Sequence, residues 1–235
     1  MSAQRDGSES LNGDPKLRAV VDTSTMSWAG SPSAGVQRKR VHRSGPQESG
    51  RVTSVVRYLP GARFPAHDHP EGEEILVLEG VFSDEHGDWP AGTYLLNPEG
   101  FHHAPFSTDG CLLFVKLRQA GESVRTHVAL DTEKEVWLEE SDHGFERMPL
   151  YVRDDLVEET YLERWNSKSE LGERIYPQGA EYFVLEGGFE DESGNYRAGT
   201  WMRLPSGAKH RPSTASGCTL FVKYAGVASA AADLL

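Results

Sequence analysis

Residues 61 to 80 read Gly-Ala-Arg-Phe-Pro-Ala-His-Asp-His-Pro-Glu-Gly-Glu-Glu-Ile-Leu-Val-Leu-Glu-Gly. In this stretch His67 and His69 are separated by one residue, and Glu73 follows shortly after. A further imidazole, His103, comes well downstream, after the turn Pro98-Glu99-Gly100. Two imidazoles and a carboxylate close in sequence, joined by a distant imidazole, form a donor set that suits a divalent transition metal. Three neutral imidazoles and one carboxylate would leave the ion with a net charge of about +1. One or two coordination positions would stay open, with ligand distances of roughly 2.0–2.2 Å.

These donors need elements to hold them. On a β-strand His67 and His69 would share a face. Pro70-Glu71-Gly72 reads as a turn, and the apolar run Ile75 to Leu78 reads as a strand headed by Glu73. Glu73 and Glu74 are adjacent, so one of them faces the site. The spacing to Gly80 favours Glu73, with Glu74 the alternative. His102 should point away from His103. His42, His86, His127 and His143 sit in polar context and read as solvent-facing. Further short runs rich in aliphatic and β-branched residues are Arg51 to Leu59, Glu74 to Phe82, Gly92 to Leu96 and Cys111 to Leu117. Gly, Pro, Asp and Asn punctuate them, a pattern that predicts an all-β sandwich or barrel.

Gly61-x5-His67-x-His69-x3-Glu73-x6-Gly80 resembles the first cupin motif, and Gly92-x5-Pro98-x-Gly100-x2-His103 resembles the second. Both spacings fit without a gap. The text from Gly72 to Glu85, with the later Gly110-Cys111-Leu-Leu-Phe-Val-Lys, is similar to the cupin-like domain of ChrR-type anti-sigma factors. The resemblance implies jelly-roll barrels and places the metal ligands on His67, His69, Glu73 and His103. The second motif usually ends in Asn, where this chain has Ser107. ChrR-type proteins grip their sigma factor through a zinc domain with His and Cys ligands, whereas the two cysteines here are Cys111 and Cys218. The expectation is therefore a metal-binding ChrR-like bicupin that binds or senses a small molecule and is not an anti-sigma factor by itself. The alternative is a non-haem dioxygenase, or another cupin enzyme, acting on a small chelating substrate. The metal would be Zn, Fe, Mn or Ni, with zinc or iron foremost; whether the site is catalytic stays open.

The chain also repeats. A shift of 107 residues lays Val77-Leu-Glu-Gly-Val-Phe-Ser-Asp-Glu over Val184-Leu-Glu-Gly-Gly-Phe-Glu-Asp-Glu, and His103 over His210. Upstream a shift of 109 lays Asp22-Thr23 and Trp28 over Asp131-Thr132 and Trp137. A period this long means two tandem domains. The expected boundaries are a disordered tail over 1–16, a metal-binding cupin over 17–120 and a degenerate cupin over 121–235, with the join near Gln119 to Glu122. In the second copy His67 falls on Arg174, His69 on Tyr176 and Glu73 on Ala180, so the site is lost. Arg174 reads as a surface residue, or as part of an anion pocket, or as one half of an Arg–Glu pair filling the cavity with Glu181 and His210 nearby. Cys111 and Cys218 read as small buried hydrophobes, and Trp28 and Trp137 as packing residues.

The 235-residue chain has a formal net charge of −12, which argues against a nucleic acid or an anionic membrane as partner. No apolar stretch approaches a membrane span. The N-terminal residues are polar and lack the apolar core of a signal peptide, and two cysteines suggest no disulfide framework. The expectation is a cytoplasmic protein whose partner is a small molecule, with a homodimer left open.

Overall fold

The computed structural model describes residues 10–46, 48–119, 124–140 and 144–225. Strands dominate, and among the described residues the single helical element is the 3-10 turn Thr23–Thr25. Two compact units divide the chain after residues 14, 26 and 133.

Each unit is an antiparallel barrel with the same order of neighbours. In the first unit the order is Val128–Asp131, Thr93–Asn97, Glu73–Asp84, Cys111–Leu117, Arg51–Tyr58, Val36–Ser44, Ala29–Gly30. In the second it is Ala19–Asp22, Thr200–Leu204, Ala180–Asp191, Cys218–Tyr224, Glu159–Trp165, Phe145–Tyr151, Leu138–Glu140. The all-β, two-barrel expectation is met. Alternation along the strands builds the cores: Ile75, Val77, Leu113 and Val115 turn inward in the first unit, as do Tyr182, Val184, Leu220 and Val222 in the second.

The folded units do not coincide with the sequence copies. Ala19–Asp22 belongs to the first copy but pairs in the second unit, with Ala19 opposite Arg203. Val128–Asp131 belongs to the second copy but pairs in the first unit, with Val128 opposite Leu96. The two copies have exchanged their leading strands. The exchange is fastened in the same way twice. Thr23 binds Gly199 O through its N–H (3.0 Å) and its hydroxyl (2.7 Å), and Thr132 binds Gly92 O at 3.2 and 2.6 Å. The boundaries at 17–120 and 121–235 thus mark the repeat, whereas the barrels are cut elsewhere. Self-similarity reports which residues are alike, and two like strands can satisfy either sheet edge.

Of the tail expected over 1–16, residues 1–9 lie outside the described residues. The rest corrects the expectation. Leu11 exchanges backbone hydrogen bonds with Arg43 (3.0 and 2.8 Å), and Asn12 Nδ2 donates to Val41 O at 2.8 Å. The strand Val36–Ser44 is paired by Ala29–Gly30 only near Gln37 and Arg38, so the other end of its edge has backbone groups for Leu11 to meet. Of the expected join, Gln119 alone is described.

One bend lets a single strand serve two layers. Gly80 has φ +73°, and a Cβ there would lie 2.2 Å from Gly110 O; Gly187 repeats this with φ +66° and 2.1 Å from Gly217 O. Only glycine tolerates both the left-handed backbone and the contact. Before the bend, Glu73–Glu79 pairs with the core strands; after it, Val81–Asp84 forms a hairpin with Gly87–Pro90.

Candidate metal centre

His67 lies on the two-residue strand His67–Asp68, opposite His103 of His102–His103. The chain then turns through Glu71 (φ +57°) and Gly72 (φ +75°), with Gly72 N–H donating to His69 O at 3.1 Å. Glu73 follows as the first residue of its strand, opposite Asn97. The expected shared strand face for His67 and His69 is therefore realised differently, since His69 sits past the strand end and is carried inward by the turn. Its backbone N–H is held by Phe101 O at 3.2 Å.

The three imidazoles converge, with one ligating atom from each of His67, His69 and His103 within 4.8 Å of one another. Ring centroids of His67–His69 and His69–His103 are each 4.7 Å apart. The Glu73 carboxylate is beside them, with Oε2 3.5 Å from His69 Nδ1 and 3.7 Å from His103 Nε2. Glu74, one residue on, is buried and stands between Leu96 and Lys116 in the sheet. All four donors expected from the sequence are brought together.

The rings are oriented by groups behind them. His67 Nδ1 donates to Pro65 O at 2.8 Å, which leaves Nε2 with its lone pair. His103 Nδ1 contacts Asp84 Oδ2 at 2.9 Å, again freeing Nε2. Burial pushes the Asp84 carboxyl up, but the His103 hydrogen bond and the His86 N–H outweigh it and hold it below the usual carboxylate range, so it is the acceptor. Asn97 Nδ2 donates to Glu73 Oε2 at 3.1 Å. Hydrogen bonds of this kind fix the tautomer and direction of an imidazole and the orientation of a carboxylate.

The residues fit a cation. His69 Nε2 is buried and has no hydrogen-bond partner. Burial drives the His69 imidazole down to about 4, reinforced by His103, and drives His67 down as well, so both are neutral and able to ligate near neutrality. Burial raises the Glu73 carboxyl against the pull of His103, the Asn97 hydrogen bond and His67. A buried carboxylate among neutral imidazoles lacks a counter-charge, and a divalent ion supplies one.

Sequence reasoning missed Asp84, Asn97 and Phe101. Asp84 could have been found, because Asp-Glu at 84–85 recurs at 191–192. Phe101 sets its ring near His69 and His103, and both His86 and His127 lie against it with centroids 4.9 Å away. His86 and His127 are exposed, but they are not bare solvent-facing groups as expected: Phe101 is half-buried and needs cover. His102 does point outward, with Nδ1 3.0 Å from Asp68. His143 lies outside the described residues. Cys111 and Cys218 are buried free thiols. Trp28 and Trp137 pack as expected, under Lys39 and Arg57 and under Arg164 respectively.

In the second unit the positions of His67, His69 and Glu73 carry arginine, tyrosine and alanine. Arg174 is largely covered, which corrects the surface reading, and it pairs with Glu163 at 2.9 and 3.2 Å. Glu163 is not the carboxylate expected as its partner. It stands opposite Leu220 as Val56 stands opposite Leu113, so a charge occupies the place of an apolar wall residue. Glu181 instead accepts from Trp201 Nε1 at 2.7 Å. Tyr224 donates to Glu163 and accepts from Arg174, and Trp165 Nε1 donates to Glu163 at 2.9 Å. Burial pushes the Glu163 carboxyl up, yet the Arg174 charge and the hydrogen bonds from Arg174, Tyr224 and Trp165 carry it below the ordinary range. His210 survives, bound to Asp191 Oδ2 at 3.0 Å and to Tyr176 Oη at 2.8 Å.

An antiparallel barrel with imidazoles from two short facing strands and a carboxylate at the head of a core strand is a cupin. The chain belongs to the ChrR cupin-like domain family, whose model matches residues 16–121 and again 125–228. Among solved structures, a candidate dioxygenase from Nostoc punctiforme is 17% identical, with a TM-score of 0.73 over 88% of this chain and 82% of that one. A candidate glyoxylate-induced protein from Pseudomonas aeruginosa is 12% identical, with a TM-score of 0.70 over 93% and 96%. A single-residue variant of oxalate decarboxylase from Bacillus subtilis is 12% identical, with a TM-score of 0.63 over 88% and 76%. At these identities the likeness is one of fold. No curated protein matches the chain. No helix among the described residues is long and apolar enough to cross a membrane.

Proposed function

We propose that the protein is a metal-binding ChrR-like bicupin with one mononuclear site in the first unit, held by His67, His69, Glu73 and His103, that binds or senses a small molecule. The observation that carries this is the convergence of three imidazoles, each with a ring nitrogen within 4.8 Å of the others. When bound, the metal would supply Lewis acidity and open coordination positions. The chain's own residues do the rest. Pro65 O and Asp84 fix two imidazole tautomers, Asn97 steers the Glu73 carboxylate, and Phe101 with Phe82 excludes water.

A second reading, a non-haem dioxygenase or other cupin enzyme, is favoured by the cavity beside the site. It holds about 360 Å³ and is walled by Val36, Val52, Val56, Ile75, Leu113 and Val115. An apolar hollow opening onto the donors would let a chelating substrate reach them out of bulk water. Zinc or iron is the expected ion, manganese or nickel the alternative. Metal analysis of anaerobically purified protein, with oxygen uptake on the same samples, tests both readings. About one ion per chain is expected; none retained by the wild type overturns the metal site, and metal without oxygen uptake leaves the binding role alone.

A further inference from the structure

The cavity in the first unit has a second polar end, far from histidine in chemistry. Its rim carries Arg38, Arg40 and Glu48. Arg38 donates to Glu48 from both terminal nitrogens, Nη1 at 3.0 Å and Nη2 at 3.2 Å, and Arg40 Nη2 donates at 2.9 Å. The two arginine side chains are 18% exposed, while that of Glu48 is 47% exposed. The cations are thus set into the wall and the carboxylate lies on the water side. The strand period places them there: Arg38 and Arg40 are two apart, opposite Val56 and Ser54 of the neighbouring strand.

An independent observation lies between the two ends. Ser54 is 2% exposed and lines the cavity, and its hydroxyl has no hydrogen-bond partner. A buried hydroxyl in an otherwise aliphatic wall is unfavourable for the fold, and it is the kind of group that a ligand's polar atom meets. In the second unit Tyr161 stands at this register position, opposite Val222 as Ser54 is opposite Val115.

We infer that the cavity binds a small organic anion with an aliphatic body, whose carboxylate takes the place of Glu48 on Arg38 and Arg40. The body lies along the apolar wall past Ser54, and the other end reaches the imidazole cluster. The last point alone rests on the metal-binding reading. Glu48 already shows that the arginine pair accepts a carboxylate from both sides, and planar guanidinium forks are suited to that geometry. An incoming carboxylate inherits these hydrogen bonds, so the cations are never left bare. A neutral molecule of the same shape has nothing to offer them and leaves Glu48 in place.

The test uses the full chain, zinc-loaded and metal-free, titrated calorimetrically with hexanoate and with 1-hexanol as probes. Hexanoate should bind about tenfold more tightly than hexanol, the effect of a charge-assisted hydrogen bond. The double variant Arg38→Ala/Arg40→Ala should erase that difference. Glu48→Ala, a change at an exposed side chain, should strengthen hexanoate by roughly fivefold and leave hexanol unchanged, because it removes the competing carboxylate. Equal binding of the two probes, or weaker hexanoate binding by Glu48→Ala, overturns the proposal. One zinc per chain without hexanoate preference sinks the anion site and leaves the metal reading standing. Hexanoate preference in protein that retains no zinc does the reverse.

Discussion

The first barrel keeps imidazoles around a hollow; the second fills the corresponding space with arginine, glutamate and tyrosine. Where one has His67, His69 and Glu73, the other has Arg174, Tyr176 and Ala180. Where one has Val56, Ile75 and Leu117 around the hollow, the other has Glu163, Tyr182 and Tyr224. The second interior satisfies itself. Arg174, Glu163 and Tyr224 bond one another, and Tyr176 Oη bonds both Tyr182 and His210. In the first, His69 Nε2 finds no partner within the protein. Yet both keep one pair intact, His103 with Asp84 and His210 with Asp191, at 2.9 and 3.0 Å. The same His–Asp bond can aim a ligand or brace a core, and the residues opposite decide which.

The contrast breaks most sharply in the second unit. Glu163→Ala leaves Arg174 buried without its carboxylate and should cost about 3–5 kcal/mol, read by calorimetry as a large fall in one melting transition. Replacing Arg174 and Glu163 together by Met and Leu should be far milder, because buried pairs are often matched by apolar packing. A single Glu163→Ala variant that melts like the wild type would show the network to be idle.

In the first unit, loss falls on the metal. His69→Ala should abolish tight binding, and Asp84→Asn should weaken it by about 10–100-fold, as for other groups that hold a metal-bound imidazole. Asp191→Asn, at the equivalent place, should leave metal content untouched, by mass spectrometry. An equal loss for both Asp variants would erase the distinction between the units.

Acid should separate them too. In metal-free protein His69 titrates at about 4 in the fold against 6.5 when unfolded. Between those values the unfolded chain binds more protons, so this contribution to stability is full above pH 6.5 and is lost as pH falls toward 4. Burial pushes the Asp191 carboxyl up, but bonds from His210 and Arg18 outweigh it and hold it at about 2, against 3.8 when unfolded. Its contribution is full above 3.8 and is lost only as pH falls toward 2. Burial also lowers His210 in the second unit, but two imidazoles, His67 and His69, are lowered in the first, so urea melts from about pH 7 to about pH 3 should show the first unit losing more stability, and metal should delay that loss by competing with protons. Equal loss from both units would count against it.

The smallest effect is a gain. Ser54→Ala removes an unpartnered hydroxyl and should stabilise the first unit by about 1 kcal/mol. Destabilisation would mean that the hydroxyl is satisfied within the fold.

Much of the site was legible because its chemistry is local. His67, His69 and Glu73 lie around one turn, and the glycines and proline that shape the turns before Glu73 and His103 are themselves spaced. The strand Cys111–Leu117 was expected to the residue, since an apolar run between Gly110 and a charged stretch leaves little choice. Glu163 was not legible as the partner of Arg174, because that pairing runs across strands and depends on which face each residue takes. The interaction of Phe101 with His127 was hidden for a similar reason, as the segment holding His127 belongs by sequence to the other copy.

The exchanged strands impose an order in time. As a chain leaves the ribosome at roughly 5–20 residues per second, the N-terminal domain of a tandem protein ordinarily closes first. Here Thr93–Asn97 waits for Val128–Asp131, so the first barrel completes its sheet only after synthesis has entered the second copy. Ala19–Asp22, made long before, has no partner until Arg203 exists. A chain cut at the end of the first copy would therefore yield one barrel lacking an edge strand and one spare strand with nowhere to dock.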